Sequence, residues 1–302
     1  MTDMTHIDAE HYGQTGRDCM TKDDIRIRCM SRSEIDTAVD WAAREGWNPG
    51  LHDAECFYAA DPNGFFIGLQ GETPVAMVSA VAYGNEYGFM GFYMVEPGHR
   101  ESGLGVRMWE EGLSYLGTRL IGLDSVRPDL VAHKKPQFQP AYVNFRFRWV
   151  KDRQFCLSPD VMDVSEAGWE ALNDYDRSVF LFSRETFLKC WISRRDTTSV
   201  AVVDEGRLRG YGVIRKCRDG FKVGPLFADD ISLARKIFQA LTFNVGIGES
   251  VFLDTPQANI DSVLLAREFG MNEVFRTTRM YSGQIPDLPL EKWFGITSFE
   301  LG

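Results

Sequence analysis

Arg100-Glu101-Ser102-Gly103-Leu104-Gly105 stands between an apolar run and a helical pattern, an arrangement that can hold an anion. The run Gly88-Phe89-Met90-Gly91-Phe92-Tyr93-Met94-Val95 is apolar on both faces, as a central buried strand is. Glu96-Pro97-Gly98-His99 is a turn. Beyond the loop, Leu104, Met108, Trp109, Leu113 and Leu116 recur at the spacing of a helical stripe. The first backbone N–H groups of a helix have no intrahelical partner, and the helix dipole favours negative charge there. Gly103 and Gly105 let a pyrophosphate approach that backbone with no Cβ in the way. The loop is not the dinucleotide fingerprint, which needs a third glycine and an acidic residue about twenty positions on, and no Gly-Lys-Ser/Thr follows as in a P-loop. Two glycines between a strand and a helix also make an ordinary turn, so the loop alone names no ligand.

The longer spelling, Val95-x-Pro97-x-x-Arg100-x-x-Gly103-x-Gly105, resembles the acyl-CoA-binding segment of the GNAT superfamily of N-acetyltransferases. The resemblance implies acetyl-CoA as co-substrate, with its pyrophosphate on the amides of Gly103, Leu104 and Gly105, Arg100 reaching a phosphate, and Glu101 and Ser102 completing the loop. It implies that the strand Phe92-Tyr93-Met94-Val95 splays from its neighbour and pairs with the pantetheine arm. Backbone N–H groups near Tyr93 and Met94 would then polarise the thioester carbonyl. Leu120-Ile121-Gly122-Leu123-Asp124 would be the other lip of the splay.

Transfer to an amine needs a neutral nucleophile, and an alkylamine with a pKa of about 10.4 is neutral in roughly one molecule in a thousand at pH 7. A carboxylate near the splay could take the proton. The candidates are Asp124, Glu86, Asp53 and Glu55. Asp124 closes the strand beside the site, though an aspartate at a strand end also caps turns. Trp47, Asp53 and Glu55 lie in the segment that covers the acceptor in the family, where the carboxylates would equally suit a solvated helix face. For the thiolate leaving group the family supplies a tyrosine, and Tyr142 aligns with it. A phenol near 10 facing a thiol near 8.5 makes full proton transfer uphill by roughly 2 kcal/mol, so such a tyrosine acts by hydrogen-bonding the thiolate. The expectation is that Tyr142→Phe lowers kcat. Tyr142-Val143-Asn144-Phe145-Arg146-Phe147 stands where the family has a helix ending in Tyr-x-x-x-Gly-Phe, with Arg146 in place of the glycine. A core aromatic is the other reading of Tyr142.

The elements that must position these groups follow from patterning. Ile25 to Met30 alternates as a strand, and Ser31 with Glu34 forms a capping box for the next helix. A short helix to Ala60, strands at 65–69, 75–83 and 86–95, the loop, its helix and a strand at 120–124 complete one unit. Helices at about 165–175 and 183–192, strands at 200–203, 208–215 and 221–227, a helix at 231–245, a strand at 251–254, a helix at 259–269 and a strand at 274–281 repeat that order. The fold class is α+β, a mixed sheet: two tandem GNAT-like domains, each a mostly antiparallel sheet flanked by helices with a splayed central strand pair. The expected organisation is a flexible arm at 1–23, an N-terminal domain at 24–150, a linker at 151–164 and a degenerate C-terminal domain at 165–302. The second unit has no Arg-x-x-Gly-x-Gly, and Asp229 and Asp230 at its helix start would cap the helix and repel a pyrophosphate. It is therefore predicted not to bind CoA in the usual way. The segment Trp47-Asn48-Pro49-Gly50-Leu51-His52-Asp53 and the tail from Trp293 to Gly302 resemble a bacterial subgroup of tandem GNAT proteins.

Length and composition set the frame. The chain has 302 residues, 44% hydrophobic and 25% charged, with a net charge of −10. That suits two globular domains and argues against nucleic acid, which clustered Lys and Arg would bind. No run approaches the roughly 18 apolar residues of a membrane span, and no signal-peptide core precedes Asp24, so the expected location is the cytoplasm. The six cysteines form no C-x-x-C pair and read as thiols of a reducing compartment. The histidines show no metal-ligand spacing, so no metal is expected. The expected partner is a small-molecule amine, and the chain is a monomer or homodimer. Besides an acetyltransferase whose C-terminal half shapes the acceptor pocket or stabilises the fold, two other readings remain. One is an acyl-CoA-binding sensor without turnover, and the other a structural protein, against which Arg100, Gly103 and Gly105 argue.

Overall fold

The computed structural model describes residues 25–129, 131, 135 and 137–302, so the expected arm at 1–23 lies outside the described residues. The first strand, β1 (Ile25–Cys29), leads into α1 (Arg32–Arg44). Glu34 accepts the Ser31 backbone N–H at 2.8 Å, as its spacing predicts. Next come α2 (Asp53–Ala60), β2 (Phe65–Gln70), β3 (Thr73–Tyr83), β4 (Tyr87–Val95), α3 (Leu104–Leu116) and β5 (Leu120–Ser125). Residues 139–150 form a long strand, β6 (Gln139–Val150), where the resemblance implied a helix carrying Tyr142. Phe145, Phe147 and Trp149 alternate along it, the period-two pattern of a strand.

The second half runs β7 (Val161–Asp163), α4 (Trp169–Phe180), α5 (Glu185–Ser193), β8 (Thr197–Asp204), β9 (Arg207–Lys216), β10 (Phe221–Ala228), α6 (Ile231–Leu241), β11 (Ser250–Pro256), α7 (Ile260–Glu268), β12 (Asn272–Tyr281) and β13 (Trp293–Gly295). Asp230 caps α6, accepting the N–H groups of Ser232 and Leu233. Gly270 follows α7 with φ +69°, the left-handed stop that its position predicts.

The halves share one sheet, ordered β1-β2-β3-β4-β5-β12-β6-β11-β10-β9-β8-β7, with β13 paired to β10. Only β4/β5 and β10/β11 are parallel among the paired strands. The middle of the sheet is exchanged. β12, from the end of the chain, lies against β5, while β6, which follows the first unit in sequence, lies against β11. Each half thus completes its sheet with a strand from the other. The core follows the same plan: Phe57 and Phe92 from the first half pack in one cluster with Trp191, Trp293 and Leu301 from the second.

One sequence expectation is corrected here. Cys56 on α2 and Cys190 on α5 form a disulfide, with Cα atoms 5.3 Å apart, so these two are not free thiols. The bond ties the halves together across 134 residues of chain. Beside it, Asp53 is buried between Arg194 at 2.7 Å and Arg215 at 3.2 Å, both from the second half.

Candidate active site

The parallel pairing of β4 with β5 runs from Tyr87↔Leu120 to Met90↔Leu123 and then stops. On its other side β4 carries a bulge: Gly91 pairs with Ser79 and Met94 with Met77, so Phe92 and Tyr93 together stand opposite Val78. Phe92 has φ +45°, a conformation that bulky side chains rarely take. The two strands part where the bulge turns β4 aside. The gap opens into a cavity of about 130 Å³ whose walls include Trp47, Phe92, Tyr93, Asp124, Phe275 and Phe299.

A second depression, lined by Glu45, Trp47, Tyr93, Met94, Val95, Arg100, Glu101, Gly105 and Val126, continues from the cavity to the glycine loop. Trp47, Tyr93 and Val126 border both spaces. The loop leaves the start of α3 open. Gly103 precedes α3 with φ +83°, and a Cβ there would meet no atom within 4 Å. Gly105 is fixed for another reason: a Cβ would fall 2.5 Å from the Tyr93 hydroxyl. Ser102 Oγ donates to the His99 carbonyl at 2.6 Å, holding the turn. The first turn of α3 carries no acidic residue. Arg100 is exposed, donating to the Val95 carbonyl at 3.0 Å with Glu45 3.6 Å away. Leu104 is buried under the helix.

The predicted acid–base residues have mixed fates. Asp124 reaches the cavity wall, but its carboxylate is committed: Arg279 donates through Nε at 3.0 Å and Nη2 at 2.8 Å, and Asn144 through Nδ2 at 2.8 Å. Arg279 itself is sandwiched by Phe89 and Tyr142, 4.9 and 5.8 Å from their ring centres. Glu86 sits in the turn before β4, five residues and about 16 Å of strand from Gly91, at the wrong end for the splay. Asp53 is buried in its pair of arginines, and Glu55 is exposed on α2; neither borders the cavity. Burial alone would push Asp53 up, but Arg215 and Arg194 outweigh it and hold the carboxyl at about 2. Tyr142 lies in the sheet opposite Arg279, away from the cavity walls, and burial raises its hydroxyl well above the usual tyrosine value. Of the three acceptor-segment residues only Trp47 is at the cavity.

Several wall residues were missed. Phe275 and Thr277 arrive on β12, and Phe299 on the tail, from the far end of the chain. Arg146, the position at which the resemblance breaks, has a clear task. It pairs with Asp254 through two bonds of 2.7 Å, and its Nη1 donates to the Trp47 carbonyl at 2.6 Å. Lys222 Nζ donates to the same carbonyl at 3.2 Å, so two cations of the second half's sheet fix the tryptophan at the cavity mouth. Glu300 is buried next to Phe299 without a hydrogen-bond partner among the described residues; burial raises its carboxyl, and Lys222 partly offsets this.

The second half repeats the splay and then closes it. Pairing of β10 with β11 ends at Val223↔Leu253, and Gly224 with Pro225 forms the matching bulge against β9. Into this gap goes β13: Gly295 pairs with Leu226, Trp293 with Phe227, and the Ile296 N–H donates to Asp254 of β11 at 2.8 Å. The chain thus occupies its own second groove with backbone. Among the described residues, no strand enters the corresponding gap between β4 and β5, and no cluster of metal-binding side chains occurs.

Comparison with known proteins agrees with this duplication. The profile described as the acetyltransferase (GNAT) family matches residues 32–134, and one described as an acetyltransferase (GNAT) domain matches residues 172–295. The chain is 30% identical over 272 residues to a protein named holothin acyltransferase from Pseudoalteromonas sp. (strain SANK 73390), covering 90% of this chain and 92% of that one. Among solved structures, one described as a putative acetyltransferase from Pyrococcus horikoshii superposes with a TM-score of 0.77 at 20% identity, covering 98% of this chain and 99% of that one. A tandem GNAT protein from the clavulanic acid biosynthesis pathway superposes with a TM-score of 0.60 at 11% identity, over 87% of this chain and 100% of that one.

Proposed function

The chain belongs to the acetyltransferase (GNAT) family as a tandem acyltransferase, and from that premise we propose that its N-terminal half binds acetyl-CoA and passes the acetyl group to a primary amine of a small molecule. The observation that carries this reading is the contrast between the two splays. The β4/β5 gap is continuous with a glycine loop at a helix N-terminus, whereas the β10/β11 gap is filled by β13.

The pyrophosphate would rest on the N–H groups at the start of α3. The pantetheine arm would follow the groove past Val95, Met94 and Tyr93. The bulge leaves backbone N–H groups around Phe92 and Tyr93 free of the β5 ladder, where they can stabilise the oxyanion of the tetrahedral intermediate. The second half contributes Phe275, Thr277 and Phe299 to the acceptor cavity, and its Lys222, with Arg146 of β6, holds the Trp47 carbonyl.

Calorimetric titration with acetyl-CoA tests the reading. One site per chain is expected. No binding refutes the reading; two sites would mean that acetyl-CoA displaces β13 and that the assignment to one half is wrong.

A further inference from the structure

We infer that Arg146 is a positioning residue for the acyl acceptor, setting from behind the cavity three of the aromatic residues that form its wall; this rests on the acetyltransferase reading above. Trp47, Phe275 and Phe299 come from three separate stretches of chain and meet on that wall. One guanidinium reaches all three. Arg146 stands on β6 between its cross-strand partners, Asp254 of β11 on one side and Phe275 of β12 on the other. Its side chain is 3% exposed. A guanidinium is a flat fork, with donors around its edge and faces that stack on rings. Here Nε and Nη2 donate to Asp254 at 2.7 Å each, and Nη1 donates to the Trp47 carbonyl at 2.6 Å. The face meets the rings: Cζ lies 4.7 Å from the ring centre of Phe299 and 5.8 Å from that of Phe275. Those two rings touch in turn, with centres 6.0 Å apart and planes at 55°.

Stability alone is a poor reason for an arginine at this place. A buried ion pair loses so much hydration that apolar residues of similar volume often serve the fold as well. An apolar pair, however, has no donor for the Trp47 carbonyl and no cation for the two rings to stack on. Lysine would not replace the arginine either, because an ammonium is a point charge without a plane. The arrangement acts on the acceptor side of the site. Phe275 and Phe299 border the cavity, and of the three wall residues only Trp47 also borders the depression that leads to the glycine loop.

The size of the cavity supplies a probe that needs no turnover. At about 130 Å³ it is close to an engineered cavity of about 150 Å³ that takes up benzene. Fluorobenzene is therefore titrated into the full chain and followed by fluorine NMR, and acetyl-CoA is titrated separately by calorimetry. Two variants address the arginine. Arg146→Lys keeps the charge beside Asp254, and Arg146→Met combined with Asp254→Asn removes both charges together, so that folding does not hinge on one stranded ion. Phe299→Ala locates the probe.

The parent should bind fluorobenzene, and Phe299→Ala should weaken that binding. Three loosened side chains that the ring must order again, at about 0.5–1.5 kcal/mol each, predict a fluorobenzene Kd at least about tenfold higher in both Arg146 variants. Their Kd for acetyl-CoA should stay within about threefold of the parent's, since the glycine loop is untouched. An unchanged fluorobenzene Kd in either variant would overturn the inference. So would no uptake by the parent, or uptake indifferent to Phe299→Ala, which would place the probe elsewhere. Equal weakening of both ligands, or loss of folding in both variants, would reduce Arg146 to a structural residue and overturn it too. A parent chain that takes up fluorobenzene but does not bind acetyl-CoA would instead bring down the acetyltransferase reading, and the acceptor role of this wall with it.

Discussion

Replacing Gly103 with alanine separates a phosphate-binding loop from an ordinary turn. A Cβ at this position meets no protein atom within 4 Å, so packing is not disturbed. What changes is the backbone, since φ +83° is left-handed and costs an L-residue about 1–2 kcal/mol. For a chain of 302 residues that corresponds to a fall in Tm of about 1.5–3 °C, leaving the variant folded at 25 °C. Binding should suffer more. If the loop relaxes toward negative φ, the Gly103 N–H no longer faces the phosphate, and a hydrogen bond to a charged group is worth about 1.5–3 kcal/mol. At about 1.4 kcal/mol per decade, the Kd for acetyl-CoA should rise about 10- to 100-fold. The assay is calorimetry on parent and variant at one temperature, alongside a thermal melt. A variant that melts a few degrees lower yet binds acetyl-CoA with the parent's Kd would refute the placement of the pyrophosphate.

Other consequences are as direct. Asp124→Asn breaks the buried pair with Arg279 and should cost about 3–5 kcal/mol; the double variant Asp124→Asn with Arg279→Met should recover part of it, and a single variant with an unchanged Tm would show the pair to be unimportant. Tyr142→Phe should leave kcat within about twofold, because the ring is packed in the sheet outside the cavity walls; a tenfold loss would return Tyr142 to the mechanism. Asp53 has a folded-state pKa of about 2 against a usual 3.8, so its contribution is present above about pH 4 and is lost as the pH falls toward 2. The shift corresponds to a stabilisation on the order of 2 kcal/mol at neutral pH. In urea titrations, stability should fall more steeply between about pH 4 and pH 2 for the parent than for Asp53→Asn, and equal slopes would contradict the ion-pair account.

Local signals carried most of the fold. Capping at Ser31, the alternation of Ile25 to Met30 and the glycine after α7 are short-range patterns, and each element stands where its pattern places it. Strand 139–150 carries the period-two run Phe145, Phe147, Trp149, a local signal that disagrees with the helix the family resemblance implies there. The glycine loop was legible for the same local reason, since a helix start and its preceding strand are written in consecutive residues. The acid–base residues were not. Whether Asp124 is a free base depends on Arg279, 155 residues away, and whether Asp53 faces a substrate depends on Arg194 and Arg215, which no spacing announces. Arg146 in place of a glycine was the visible clue: an arginine in a strand otherwise buried needs an acidic partner, and Asp254 supplies it.

The exchanged strands also bear on how the chain is made. β5 leaves the ribosome about 150 residues before β12, the strand that will cover its open edge. At roughly 5–20 residues per second, that edge waits on the order of ten seconds or more. During this interval the first half has a hydrophobic sheet with an unpaired margin, the condition that invites association with another nascent chain. The stretch from Trp293 to Gly302 is synthesised after β12 and reaches both halves, sealing the second groove and then touching Gly91 in the first. Maturation therefore waits for β12 and the segment after it: a ribosome stalled before residue 272 releases a product that has β5 uncapped and lacks Phe275, Thr277 and Phe299 from the acceptor wall.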